Sequence, residues 1–174
     1  MITTLFAATA IFTACKEEKK EEVTEKKETA TAITLPYSVA YSDFEIGDKK
    51  YAKMVLDAWK DYDNNTLQNS AGIFADSVTM ILADGSKFST KKDSAIAIVA
   101  KHRASMASAV DKVDAIVVLK AKGKDETWVC VWGKEVDVMK DGKKDSVLLN
   151  ENWMFNKDGK VSYMDQLAAK PPKN

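Results

Sequence analysis

The chain has 174 residues, room for one domain of ordinary size with some chain to spare. Lys and Arg number 26 and Asp and Glu also 26, so the net charge is zero, which argues against a nucleic-acid binder and its basic excess. At 45% hydrophobic residues with three prolines the composition suits a compact globule, and its two cysteines, Cys15 and Cys130, lie too far apart in character to be partners.

Residues 2–14 (ITTLFAATAIFTA) form an apolar run too short to span a membrane, which takes about 20 residues. They match the apolar part of a secretory signal followed by small residues at a processing site. The basic segment of such a signal does not precede them, so the natural start is expected a few residues upstream. Phe12-Thr13-Ala14-Cys15 resembles the bacterial lipoprotein signal, with Phe12 where Leu is usual. That resemblance implies cleavage before Cys15 and lipidation of its sulfur. Each buried CH2 then contributes about 0.8 kcal/mol of membrane attachment. An ordinary signal cut after an alanine is the alternative. Residues 15–36 read as the lipidated cysteine and a charged tether, too poor in apolar groups to bury a core. Acidic residues just after the cysteine also resemble surface-export signals of some lipoproteins. The expected location is the bacterial envelope, at the outer membrane or cell surface.

The domain is expected over 37–174. Tyr51, Met54, Val55, Ala58, Trp59 and Tyr62 recur at helical spacing and predict a helix over 49–64. A short helix over 67–72 and a strand over 74–82 follow, and Ala83-Asp84-Gly85-Ser86 is a turn. Ser89 or Thr90 caps a third helix to about Ala109, with Ile96, Val99, Ala100, Arg103, Ala107 and Val110 along one side. Four strands are predicted at 112–121, 126–139, 145–156 and 160–168, joined by short glycine turns as an antiparallel meander. Three helices ahead of such a sheet give an α+β layout, with the helices packed on its concave face.

Three stretches carry a resemblance: Tyr51–Asp63, "FADSVTMILADGSKFSTKKD" and "LLNENWMFNKDGKVSYMDQ". They look like the nuclear transport factor 2-like superfamily, and more narrowly its polyketide-cyclase-like (SnoaL-like) branch. The resemblance implies a cone-shaped, cystatin-like fold with one cavity between helices and sheet, and dimerisation through the outer face. The fold hosts isomerases, cyclases, dehydratases and silent binding modules alike, so it does not name an activity.

In the last hairpin, a three-residue loop with Gly159 left-handed pairs Phe155 with Val161, Trp153 with Tyr163, and Glu151 with Asp165. A two-residue turn instead puts Asn152 opposite Asp165; the first register keeps the apolar residues together and is preferred. Facing carboxylates push one pKa up, as a general acid or base requires. Glu151 and Asp165 are therefore the candidate catalytic pair, or else a polar cavity mouth. Trp59, Tyr62, Trp132, Trp153 and Tyr163 are candidates to line a cavity for a small apolar ligand, with plain core packing as the alternative. His102, the only histidine, is either a structural residue or a ligand contact. No ligand cluster suggests a metal, and no phosphate loop or nucleophile motif suggests a cofactor. Trp128-Val129-Cys130-Val131-Trp132 is apolar on both strand faces, so the outer face is expected to meet a second copy. Two functions remain: a lipid-anchored module binding a small ligand or another protein without catalysis, or a SnoaL-like cavity enzyme (isomerase, cyclase or hydrolase). A pure oligomerisation domain is a third.

Overall fold

The computed structural model describes residues 35–172. The signal, Cys15 and nearly all of the tether lie outside the described residues. Leu35–Ser38 are exposed and hold no helix or strand.

From Val39 onward the chain forms one folded unit. Its elements are β1 (Phe44–Ile46), α1 (Lys50–Asp63), a 3-10 helix (Leu67–Ile73), β2 (Phe74–Ile81), β3 (Lys87–Lys91), α2 (Lys92–Ala104), β4 (Met106–Ala121), β5 (Thr127–Met139), β6 (Lys144–Phe155) and β7 (Val161–Ala169). The strands make one curved, open sheet in the order β1-β4-β5-β6-β7-β2-β3. The α+β layout and the β4-to-β7 meander are as expected. The sheet is not wholly antiparallel, however, because β2 runs parallel to β7.

Helix α1 follows from its stripe. Val55, Ala58 and Trp59 are buried, and Tyr51, Met54 and Tyr62 pack on the same core. Facing them are Val129 and Val131 of β5, Leu149, Trp153 and Phe155 of β6, and Val161 and Met164 of β7. These alternate residues mark the concave face.

Two local expectations are corrected, and one short strand was not foreseen. Ser89 and Thr90 do not cap a helix. They lie in β3, opposite Thr79 and Val78, with the Ser89 and Thr79 hydroxyls 2.7 Å apart. Both residue types serve caps and strands, and the cross-strand partner decides. Helix α2 stops at Ala104, and Met106–Val110 open β4, where Met106 pairs with Met139 and Ala109 with Asp137. Met-Ala-Ser-Ala carries no Gly or Pro stop signal, so only the pairing with β5 reveals the strand. Strand β1 is three residues long, too short to leave a sequence pattern.

Trp59 packs closely against Gly133. A Cβ there would come 2.6 Å from the Lys112 carbonyl oxygen and 2.9 Å from Trp59 Cζ3. The crowding coincides with a bulge in β4 between Val113 and Ala115. Gly133→Ala is expected to lower stability by about 1–3 kcal/mol through this overpacking, measurable by urea unfolding followed on tryptophan fluorescence.

Candidate functional site

The β6–β7 hairpin decides which carboxylates look inward. Gly159 is left-handed (φ 68°) and Phe155 pairs with Val161, as expected. Between Met154 and Phe155 the register then shifts by one, with Met154 opposite Tyr163 and Ser162 left over as the extra residue of a bulge. Beyond it Trp153 faces Met164, Glu151 faces Gln166 and Asn152 faces Asp165. The expected pairing of Glu151 with Asp165 is corrected: the two lie on opposite faces of the sheet.

Glu151 is only 5% exposed and sits among the core aromatics. Its Oε2 accepts the indole N–H of Trp59 at 2.6 Å and that of Trp153 at 2.9 Å, while Oε1 accepts from Gln166 Nε2 at 2.7 Å. Burial pushes its carboxyl up, the three donors pull it back, and the net is a raised pKa. Asp165, on the outer face, accepts a hydrogen bond from Asn152 Nδ2 at 2.8 Å.

The concave face carries a second group of carboxyls that sequence reasoning did not single out. Asp111 of β4 lies directly opposite Glu135 of β5, and Asp137 follows on the same face. Asp111 and Glu135 are half-buried, and Asp137 is 6% exposed. Burial, followed by Asp63, Glu151 and Asp137, raises Asp111 to about 8. Burial, followed by Asp137, Asp111 and Glu151, raises Glu135 to about 9. Burial also raises Asp137. Asp111 Oδ1 and Asp137 Oδ1 are buried without an N–H or hydroxyl donor. The signal that could have found them is parity: Glu135 and Asp137 share the alternation of Val129 and Val131.

The ends of two helices close around this group. Arg103 of α2, buried, donates from Nε to the Tyr62 carbonyl at 3.0 Å and from Nη2 to that of Asp63 at 2.8 Å, satisfying the last carbonyls of α1. Asp63 Oδ1 accepts the backbone N–H of Asp111 at 3.0 Å. Tyr62 thus stands beside the carboxyls, its hydroxyl 4.0 Å from Met106 Sδ. Burial, with Glu135, Asp137 and Asp111, drives that hydroxyl well above its ordinary value.

Of the six candidate ligand residues, the structure therefore brings Trp59, Tyr62 and Trp153 to the concave side. The other three are elsewhere. Trp132 is 42% exposed on the outer face. Tyr163 shares that face, its ring 5.9 Å from Trp128 and its hydroxyl pushed up by burial and by Asp165. His102 is exposed on the last turn of α2. Cys130 is a free, half-buried thiol on the outer face, pushed up mainly by burial. A separate shallow groove of about 420 Å³ runs between β2 and β3, lined by Ser77, Thr79, Ser89, Thr90 and Lys91. Among the described residues no three His, Cys, Asp or Glu converge as a metal site.

No protein-family model matches the chain, and no curated protein matches its sequence. Solved structures do resemble it. A protein with a cystatin-like fold from Caulobacter vibrioides superposes with a TM-score of 0.59 at 11% identity, over 71% of this chain and 90% of that one. An NTF2-like superfamily protein from Salmonella enterica serovar Typhimurium gives 0.58 at 12% identity, over 72% and 92%. An LEH-like epoxide hydrolase from M. tuberculosis gives 0.56 at 9% identity, over 70% and 84%. At such identities the likeness is one of fold: the domain has the cystatin-like fold seen in nuclear transport factor 2-like proteins.

Proposed function

We propose that this chain is a lipid-anchored protein of the bacterial cell envelope. Its SnoaL-like domain binds a small ligand at the end of the concave face and does not turn it over. The observation that carries the binding reading is the engagement of Glu151. The deepest carboxyl is occupied by three N–H donors, and Asp165 is not beside it to complete an acid/base pair. Tyr62, partly buried at that end, offers a wall for the apolar part of a ligand, with Trp59 and Trp153 buried in the core behind it. Attachment rests on Cys15, with residues 16–36 as the tether.

The outer face supports a homodimer in the same reading. Val110, Trp132, Leu148 and Leu167 leave apolar surface exposed there, Leu167 at 65%. A second functional reading, a cavity enzyme, is favoured by the carboxyls of Asp111 and Glu135, which burial and the neighbouring acids raise to about 8 and about 9, toward the range a general acid or base works in. Substrate turnover is what separates it from the binding reading.

Anchoring is tested on the chain recovered from membranes. Mass spectrometry is expected to find Cys15 as the amino terminus, carrying a diacylglyceryl group, and Cys15→Ala is expected to leave the membrane fraction. A mature chain that lacks Cys15, or carries it unmodified, would overturn the anchor.

A further inference from the structure

The groove between β2 and β3 has a volume of about 420 Å³, within the range of small-molecule sites. Its polar lining follows from strand alternation. Val78 and Met80 are buried in the core, so Ser77, Thr79 and Ile81 turn their side chains to the outer face. Across the ladder Ser77 pairs with Lys91, Thr79 with Ser89 and Ile81 with Lys87, which puts those partners on the same face. On the other side of β2, Tyr163 of β7 stands level with Thr79, and Asp165 with Ile81.

Little of this polar chemistry is spent within the chain. The Thr79 and Ser89 hydroxyls share one hydrogen bond of 2.7 Å, which leaves one of their two protons and several lone pairs for another partner. Lys92 lies 3.3 Å from Asp76. Among the described residues, however, no carboxylate comes within ion-pair distance of Lys87 or Lys91. The charge is uneven along the groove. Asp165 and Lys87 offset one another on either side of Ile81, whereas Lys91 leaves the Ser77 end positive.

We propose that this groove binds an acidic sugar unit of an oligosaccharide, with its carboxylate on Lys91 and its hydroxyls on Ser77, Thr79 and Ser89. The inference is independent of the ligand on the concave face, and it shares no residue with the apolar surface assigned to the homodimer. Each feature selects part of such a ligand. Hydroxyls both donate and accept, so a row of them matches sugar hydroxyls, which do the same. An ammonium gives a carboxylate a charge-assisted bond at the end away from Asp165. The ring of Tyr163, beside Thr79, offers an apolar plane to the C–H face of a neighbouring sugar ring. The side chains that face outward here are mostly polar, so an apolar peptide side chain finds no pocket among them. Strand β3 is the last of the sheet, so a longer sugar chain can run past its border.

The test uses titration calorimetry on the mature chain with three probes. These are tri-galacturonate, its neutral methyl ester, and tricarballylate, a tricarboxylate without sugar hydroxyls. Tri-galacturonate is expected to bind about tenfold more tightly than either of the others, since each lacks one half of the recognition. Lys91→Gln is expected to bring tri-galacturonate down to the level of its ester and to leave the ester unchanged. Thr79→Val combined with Ser89→Val removes both partners of the hydroxyl pair and suits a strand, so the fold is expected to keep its urea midpoint while both sugars weaken. Equal affinity for tri-galacturonate and its ester would overturn the acidic ligand. Equal affinity for tri-galacturonate and tricarballylate would reduce the groove to a charged patch and overturn the sugar. Binding that neither variant changes, or no binding of any probe, would overturn the assignment to this groove and leave the concave-face reading standing.

Discussion

Glu151→Ala is expected to cost about 3–5 kcal/mol of folding stability, the largest single effect in the molecule. The substitution strands two buried indole N–H groups and the Gln166 amide, and it leaves a hole among Trp59, Trp153 and Leu149. Glu151→Gln keeps an acceptor between the two indoles and gives Gln166 a donor once that amide turns over. It is expected to cost about 1 kcal/mol or less, since no buried donor is left unpaired. Urea unfolding of the two variants checks the pair. Equal losses would mean that the negative charge, rather than the acceptor, holds the tryptophans.

Stability is expected to fall as pH rises from about 5 to about 9. The sign follows from the raised carboxyls. In the unfolded chain Asp and Glu lose their protons near pH 4, whereas the folded chain keeps those of Asp111 to about 8 and of Glu135 to about 9. Between those limits the native state binds more protons than the unfolded state, so each unit of pH removes stability. Because both groups are partly solvated, the loss across the window is about 2 kcal/mol rather than the full value of shifts this large. Glu135→Gln is expected to flatten the dependence and raise the melting temperature at pH 9 while changing little at pH 5. Thermal unfolding followed by circular dichroism at several pH values measures it. A melting temperature that rose steadily to pH 9 would show that the group is ionised in the folded state.

The sequence made some of this legible and hid the rest for specific reasons. Helix α1 was readable because six apolar residues keep a single spacing for three turns. The β5 to β7 strands were readable because glycine turns punctuate them. What pattern could not supply was the offset between neighbouring strands after a bulge. Ser162 is a small polar residue in an alternating run, and nothing about it announces that it will be skipped. That one residue moved Asp165 to the outer face and left Glu151 with Gln166. The carboxyls of β5 escaped for a related reason. Glu135 and Asp137 share the alternation of Val129 and Val131, but their partner Asp111 lies where the sequence read helix running into strand. The group exists only once β4 is known to begin at Met106. Trp132 and Tyr163 were assigned to the cavity on residue type alone, and strand parity puts them on the other side.

The bulge in β4 also bears on how the protein avoids joining its neighbours into fibres. Strand β4 has 16 residues, yet β1 covers it only at Leu119–Ala121, with Gly47 N–H adding a bond to the Val118 carbonyl. Among the described residues, the rest of β4 stands at the border of the sheet. A long straight border is an invitation to another chain's backbone. Here the kink between Val113 and Ala115 interrupts it, and Lys112 and Asp114 flank the kink 3.7 Å apart. Such a broken and charged border offers another copy of the chain a poor template for pairing strand to strand.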